Sequence, residues 1–368
     1  MAHSFASRLR EWPEWGCPRS PCGRRASSGA AARHHRAVDI FTRAQWHAGG
    51  RSRRALEQAL ADGSARRVLR GVYAWCDVPD VPENRARAIH LLRPQHTVVA
   101  RTVAAWLSGV DVLPPGRSIA EESVHLMVDL DTTPPRISGC RASQAELPES
   151  DLVEEYGVVR TSDARTALDL ARFAPRGQAV ASVDAFLNDD RVTLADLWAR
   201  TRPLTKVRNC RRLRANLAVA DAGAQSYAES VQRVLYVDAG MPRPTTQIPV
   251  YTLAGELLGF LDMGWLRYRL ASEYDGEEHH DSDADRVADS LRRDRITGEG
   301  GWSVEVVRKQ ELWGRPAALV ARTSELLLAR GWTPPNSLVL DQIAQAARYG
   351  ATTGQRWQWL PLERLLAA

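Results

Sequence analysis

Apolar positions along the chain change character several times. Before residue 38 they have no period, and Arg, Ser, Ala, Gly and Pro dominate, so residues 1–37 read as a disordered extension. From 38 to 78 the pattern is organised. Thr42 is placed to cap a short helix through Trp46 and His47, and Gly49-Gly50 breaks the chain. Ser52 is placed to cap a second helix, whose Ala55, Leu56, Ala59 and Leu60 share one apolar face and which ends at Gly63. Ala65 to Trp75 is rich in β-formers and loaded with arginine.

Residues 79–200 are mixed. The pattern predicts a helix over 98–107, a strand over 123–128, and helices over 164–173, 179–187 and 194–199, with Ser162 and Thr193 as caps. His96 and His125 stand alone and read as structural. Residues 201–222 read as a basic linker helix, placing Arg208, Arg211 and Arg212 at i, i+3 and i+4 on one face. Residues 223–335 alternate clearly: a helix from Ser226 containing Glu229, strands over 247–253, 257–263 and 270–274, a helix over 283–296, a strand over 302–307 and a helix over 317–329. The order is α-β-β-β-α-β-α, and 336–368 is left as a C-terminal tail. The fold class expected is therefore α+β and multidomain.

Composition narrows the class. The chain has 368 residues, 44% hydrophobic and 25% charged, as in a globular protein of two or three domains. No run of apolar residues is long enough for a membrane span or a secretory leader. Five scattered cysteines argue for a reducing compartment, and a cytoplasmic location is expected. Cys17, Cys22, His34 and His35 lack the spacing of a zinc finger. The net charge of +5 is uneven: positive charge gathers before residue 98 and in 201–222, where six basic residues meet one acid. Such asymmetry suits a polyanion partner. In 38–78, helix, tight turn, helix and basic hairpin is the order of a winged helix-turn-helix. Arg51, Arg53 and Arg54 would then lie at or on the second helix and Arg66, Arg67 and Arg70 on the wing, facing double-stranded DNA.

The candidate chemistry lies in the C-terminal third. Asp262 and Glu273 end two adjacent antiparallel strands, embedded in apolar sequence. Paired buried carboxylates are costly without a cation, and Mg2+ or Mn2+ suits such a pair. Asp275 follows Glu273 by two residues, on the same strand face if the strand extends that far. His279 could carry a proton near neutral pH, and Glu229 could hold a water.

The helix with Glu229, the strand-end Asp262 and the run Glu273-Tyr274-Asp275-Gly276-Glu277-Glu278-His279 resemble the PD-(D/E)XK nuclease superfamily. The nearest branch is the DUF559 group, similar to very-short-patch-repair endonucleases. Asp289, Arg292 and Gly301-Trp302 fit the helix and strand that follow in such proteins. Residues 38–75 resemble the winged-helix domain of AbiEi-type antitoxins, and 158–171 resembles the segment that follows there. The resemblance implies a restriction-endonuclease-like core over 223–335 and Mg2+-dependent (or Mn2+-dependent) hydrolysis of DNA. In that reading Asp262 and Glu273 are metal ligands, and Asp275, His279 and Glu229 complete the catalytic set. It equally implies an alternative: a winged-helix transcriptional regulator or type IV antitoxin with an inactive nuclease scaffold. Two departures matter: the lysine of other branches is absent, so its role must fall elsewhere, and residues 277–285 are crowded with acids, which favours the non-cutting alternative. A homodimer and a toxin or defence partner are both compatible with the sequence.

Overall fold

The computed structural model describes residues 38–94, 96–204, 207–275 and 283–350. His279, most of the acidic run around it, the 1–37 extension and the end of the C-terminal tail lie outside the described residues.

The first unit is β1 (Ile40–Thr42), α1 (Arg43–Ala48), α2 (Arg53–Ala61), β2 (Ala65–Leu69) and β3 (Val72–Trp75). Both predicted caps form. Thr42 and Gln45 make a reciprocal capping box, and Ser52 accepts the Ala55 N–H at 3.1 Å. The turn between the helices is fixed by the Trp46 indole, which donates to the Ser52 carbonyl at 2.9 Å. The strands pair antiparallel in the order β1-β3-β2. One sheet face carries Phe41, Ala65, Tyr73 and Trp75, packed on Trp46 and Leu56 of the helices. The opposite face carries Ile40, Val72 and Ala74, and with Val68 and Leu69 it packs into the second unit.

That second unit opens with α3 (Pro82–His90), β4 (Val98–Ala100) and α4 (Arg101–Leu107). Strands β5 (Val124–Val128), β6 (Cys140–Gln144), β7 (Leu152–Glu155) and β8 (Val158–Thr161) complete a sheet of order β6-β5-β4-β8-β7. The expected helix over 98–107 is corrected here. Val98-Val99-Ala100 is a central, fully covered strand, and a buried strand reads as a continuous apolar run that periodicity cannot separate from the helix after it. Helices α5 (Asp163–Phe173), α6 (Arg176–Asn188), α7 (Leu194–Thr201) and α8 (Cys210–Leu217) form a helical layer around Phe186, Leu197, Leu213 and Leu217. The long basic helix expected over 201–222 is likewise corrected: apart from Thr201, which ends α7, only the eight residues of α8 are helical among those described. They start after Asn209 in the left-handed region, and the buried Leu213 and Leu217 make the segment part of a core.

The third unit runs α9 (Tyr227–Asp238), β9 (Thr245–Tyr251), β10 (Leu257–Trp265), β11 (Leu270–Asp275), α10 (Asp283–Gly298), β12 (Ser303–Arg308), α11 (Lys309–Gly314), α12 (Pro316–Ala329) and α13 (Ser337–Gly350). The sheet order is β12-β11-β10-β9; β11 pairs antiparallel with β10 and parallel with β12. The segment left as a tail contributes α13, whose Val339 and Ile343 join the core around Tyr236, Met263 and Val320.

The second and third units are joined by buried charge. Arg233 of α9 is fully buried, pairs with Asp184 of α6 and donates to the Val219 carbonyl at 3.2 Å. Nearer the surface, Arg176 clamps Asp238 through two contacts of 2.6 Å.

Candidate functional site

Three acidic side chains converge where α9, β10 and β11 meet. Glu229 sits in the first turn of α9 because Ser226 caps that helix, accepting the Glu229 N–H at 3.1 Å; the Glu229 carboxylate in turn accepts the Gln225 N–H at 2.9 Å. Asp262 follows Met263 back along β10, and Met263 pairs with Ser272 of β11, so Asp262 and Glu273 continue the same register on neighbouring strands. Asp262 accepts the Tyr274 N–H at 3.1 Å. Glu273 is buried in the centre of the sheet.

Burial dominates the electrostatics of all three. It pushes Asp262 up to about 6, with the Glu229 charge adding to the rise. It also raises Glu273, which feels Asp262, and Glu229. Asp262 thus lies between the other two, near enough to Glu229 and to Glu273 for charge repulsion.

Glu273 is already neutralised. Arg292 reaches both of its oxygens at 3.2–3.3 Å and Arg293 reaches one at 3.1 Å. Asp289, one turn earlier on α10, holds both guanidinium groups, the Arg292 contact at 2.9 Å. Arg292 also donates to the Phe260 carbonyl at 3.0 Å. The carboxylate donor set is of the kind Mg2+ or Mn2+ takes. Its arrangement does not fit the ion as it stands, because the oxygens of Glu273 face cations. Among the described residues no group of three or more His, Cys, Asp or Glu side chains is placed to hold one metal ion. Asp275 ends β11, half-buried, beyond Glu273.

Sequence reasoning missed Arg292, Arg293 and Asp289 as site residues. Their signal was present: an acid followed at i+3 and i+4 by two arginines on one helical face. The partner that makes them part of the site, Glu273, lies on another element.

The expected nucleic-acid residues divide into free and committed groups. Arg51, Arg53, Arg54, Arg67 and Arg70 are exposed. Arg51 lies over the Trp46 and Trp75 rings at 4.7 and 5.3 Å, and Arg53 pairs with Glu57 at 2.7 Å in open solvent. Arg66 is corrected: it is half-buried and donates to the Val78 carbonyl at 3.0 Å, because it shares the inner sheet face with Ala74. The shared face expected for Arg208, Arg211 and Arg212 is also corrected. Arg208 precedes the helix start, and Arg212 is bound to the Ala174 carbonyl at the end of α5.

Residues 97–219 match the profile of the AbiEi antitoxin C-terminal domain. The span takes in the five-stranded sheet and helices α4 to α8. Two uncharacterized proteins from two strains of Mycobacterium tuberculosis are similar to this chain, each 29% identical over 284 residues, covering 75% of the chain and 97% of the relative. No described helix is long and apolar enough to cross a membrane.

Proposed function

We propose that this chain is a duplex-DNA-binding protein of antitoxin-like build whose third unit is a PD-(D/E)XK-type endonuclease core that hydrolyses phosphodiester bonds. The observation that carries the reading is the α-β-β-β-α-β order of α9 to β12, with Glu229, Asp262 and Glu273 meeting on the first helix and the two central strands. Support for DNA binding comes from the first unit, where two capped helices and an arginine-bearing hairpin present Arg53, Arg54 and Arg67 to solvent. The antitoxin-type match over 97–219 points the same way, and to a toxin as a protein partner.

In this reading the exposed arginines hold the duplex by its phosphates. Asp262 and Glu273 supply the anionic centre, and Glu229 orients the attacking water. Asp275 and His279 complete the set as expected from the sequence. Mg2+ or Mn2+ is the expected cofactor. One observation favours a second reading, a regulator that binds DNA without cutting it: Arg292 and Arg293 occupy Glu273, the carboxylate a nuclease needs for its ion.

Supercoiled plasmid, incubated with the purified chain and Mg2+, Mn2+ or EDTA, separates the two. Metal-dependent nicking that Asp262→Ala and Glu273→Ala both abolish is the expected result. DNA retarded in a gel with no cleavage under any metal would leave the regulator.

A further inference from the structure

Arginines also gather on the second unit, away from the acidic centre. One register row of its sheet carries Ala100, His125 and Arg141 on β4, β5 and β6. The next residue after Ala100 is Arg101, which opens α4 with a φ of 58°. That left-handed conformation strains a long side chain and persists only where the surroundings hold it. The Arg101 guanidinium lies over the Phe173 ring at 4.4 Å, and the Arg172 guanidinium lies over the same ring at 4.7 Å. The end of α5 thus brings a second arginine to the place where β4 gives way to α4. Positive charge is in surplus there. Arg101 makes no hydrogen bond with any described residue, and its Nε is buried without a partner. Arg172 donates its Nε–H to the Arg208 carbonyl at 2.5 Å, a contact that brings no negative charge. Asp169 lies within charge reach of both arginines, but it is itself bonded to Arg165 at 3.0 Å. Burial pushes Arg101 and Arg172 below the usual guanidinium range, and further arginines beside each add to the fall. The same field reaches His125, which accepts or shares a proton with Ser143 at 3.0 Å and is pulled down to about 4 by burial, Arg101 and Arg141. Half-buried cations held near one another cost free energy that a bound anion would return, and one aromatic ring does not neutralise them.

We propose that Arg101 and Arg172, with Arg141 at the rim, form a binding site for the dianion of a phosphate monoester. The inference goes beyond the nuclease reading and does not depend on it. A planar guanidinium meets phosphate oxygens through paired N–H contacts, and more than one surplus cation suits a dianion. The exposure of the three groups separates two sources of phosphate. Arg101 and Arg172 are half-buried beside Phe173, within reach of a small ligand, whereas Arg141 stands in solvent. A phosphodiester on the broad surface of a duplex would meet Arg141 first and the recessed pair poorly. The geometry therefore favours a free monoester over the DNA backbone.

The test titrates the full chain with inorganic phosphate at pH 8 and low salt, followed by phosphorus nuclear magnetic resonance. Saturable binding is expected, and Arg101→Asn/Arg172→Gln is expected to weaken it about tenfold or more, since hydrogen bonds to charged groups are lost. Asparagine is chosen at 101 because it tolerates the left-handed backbone. Arg53→Ala/Arg54→Ala/Arg67→Ala, which removes the cations of the first unit, is expected to leave phosphate binding unchanged. A merely structural role for the pair on Phe173 would lower the denaturation midpoint of the double variant without altering its affinity for phosphate. Equal affinity in wild type and folded double variant, or no saturable binding at all, overturns the site. One equivalent of a short duplex, added to the phosphate-loaded chain, is expected to leave the phosphate bound. Its release would give the site to the DNA backbone and overturn the choice of a free monoester. Should the double variant fail to fold, Arg141→Gln on the exposed strand is expected to weaken phosphate about threefold. Unchanged affinity in that variant would then overturn the site.

Discussion

Arginine does opposite work at the two ends of this molecule. In the first unit Arg53, Arg54, Arg67 and Arg70 stand in solvent, tied at most to an exposed neighbour such as Glu57. In the third unit Arg233 is wholly buried on Asp184, and Arg292 and Arg293 close over Glu273. An exposed ion pair contributes little to stability, so the outer arginines can trade partners freely. A buried pair cannot lose one member cheaply, so the inner arginines are structural until something replaces the charge they meet. Net charge alone does not distinguish these cases, although only the first kind is a ready surface for a polyanion.

The contrast breaks most sharply at the inner extreme. Asp184→Ala strands the fully buried Arg233 and is expected to cost about 3–5 kcal/mol, read as a large fall in denaturation midpoint. Next come the outer arginines. Arg53→Ala/Arg54→Ala/Arg67→Ala is expected to leave stability within about 0.5 kcal/mol, as surface substitutions usually do. The same variant should weaken duplex binding on the order of 100-fold at moderate salt and lower the salt slope by about 3. Adding Arg66→Ala should lower that slope no further, because Arg66 is committed to Val78. A further drop would return Arg66 to the DNA-facing set.

Asp262 sharpens the comparison through pH. Its folded-state pKa is raised to about 6, so it contributes stability when protonated and loses that contribution as pH rises through 6. Asp262→Asn is therefore expected to stabilise the protein at pH 8 by about 3 kcal/mol, the gain shrinking below pH 6 and vanishing below about pH 4. Equal stability of the two proteins at pH 8 would show that the Asp262 charge is already neutralised there. The smallest expected effect is local: Ser52→Ala removes the α2 cap and should cost about 1 kcal/mol.

What the sequence revealed follows the range of the interactions. Thr42, Ser52, Ser162 and Thr193 all cap the helices expected of them, because a cap involves residues three apart. The element order of the third unit was legible for the same reason: its strands alternate and its turns are short. Helix α3 was missed despite Pro82 in its first turn and Glu83 beside it, since four of its nine residues are charged or His and mask the apolar face of Ala86 and Ile89. The fate of the arginines was not legible at all. Arg66, Arg212 and Arg292 meet partners 12, 38 and 19 positions away, and only the folded chain brings them together. For the same reason the acidic trio could be named from the sequence, while the contact of Arg292 and Arg293 with Glu273 could not.

The hairpin β2–β3 belongs to two cores at once, its outer face to the aromatic cluster of the first unit and its inner face to the sheet of the second. This has a consequence for modularity. A cut after residue 78 would bare Val68, Leu69, Val72 and Ala74 on one side and the Ile89–Leu126 surface on the other. The first unit is thus not a cassette that recombination can exchange by itself. Change in its helices is open by point substitution on their exposed side, while the hairpin stays matched to the sheet that carries it.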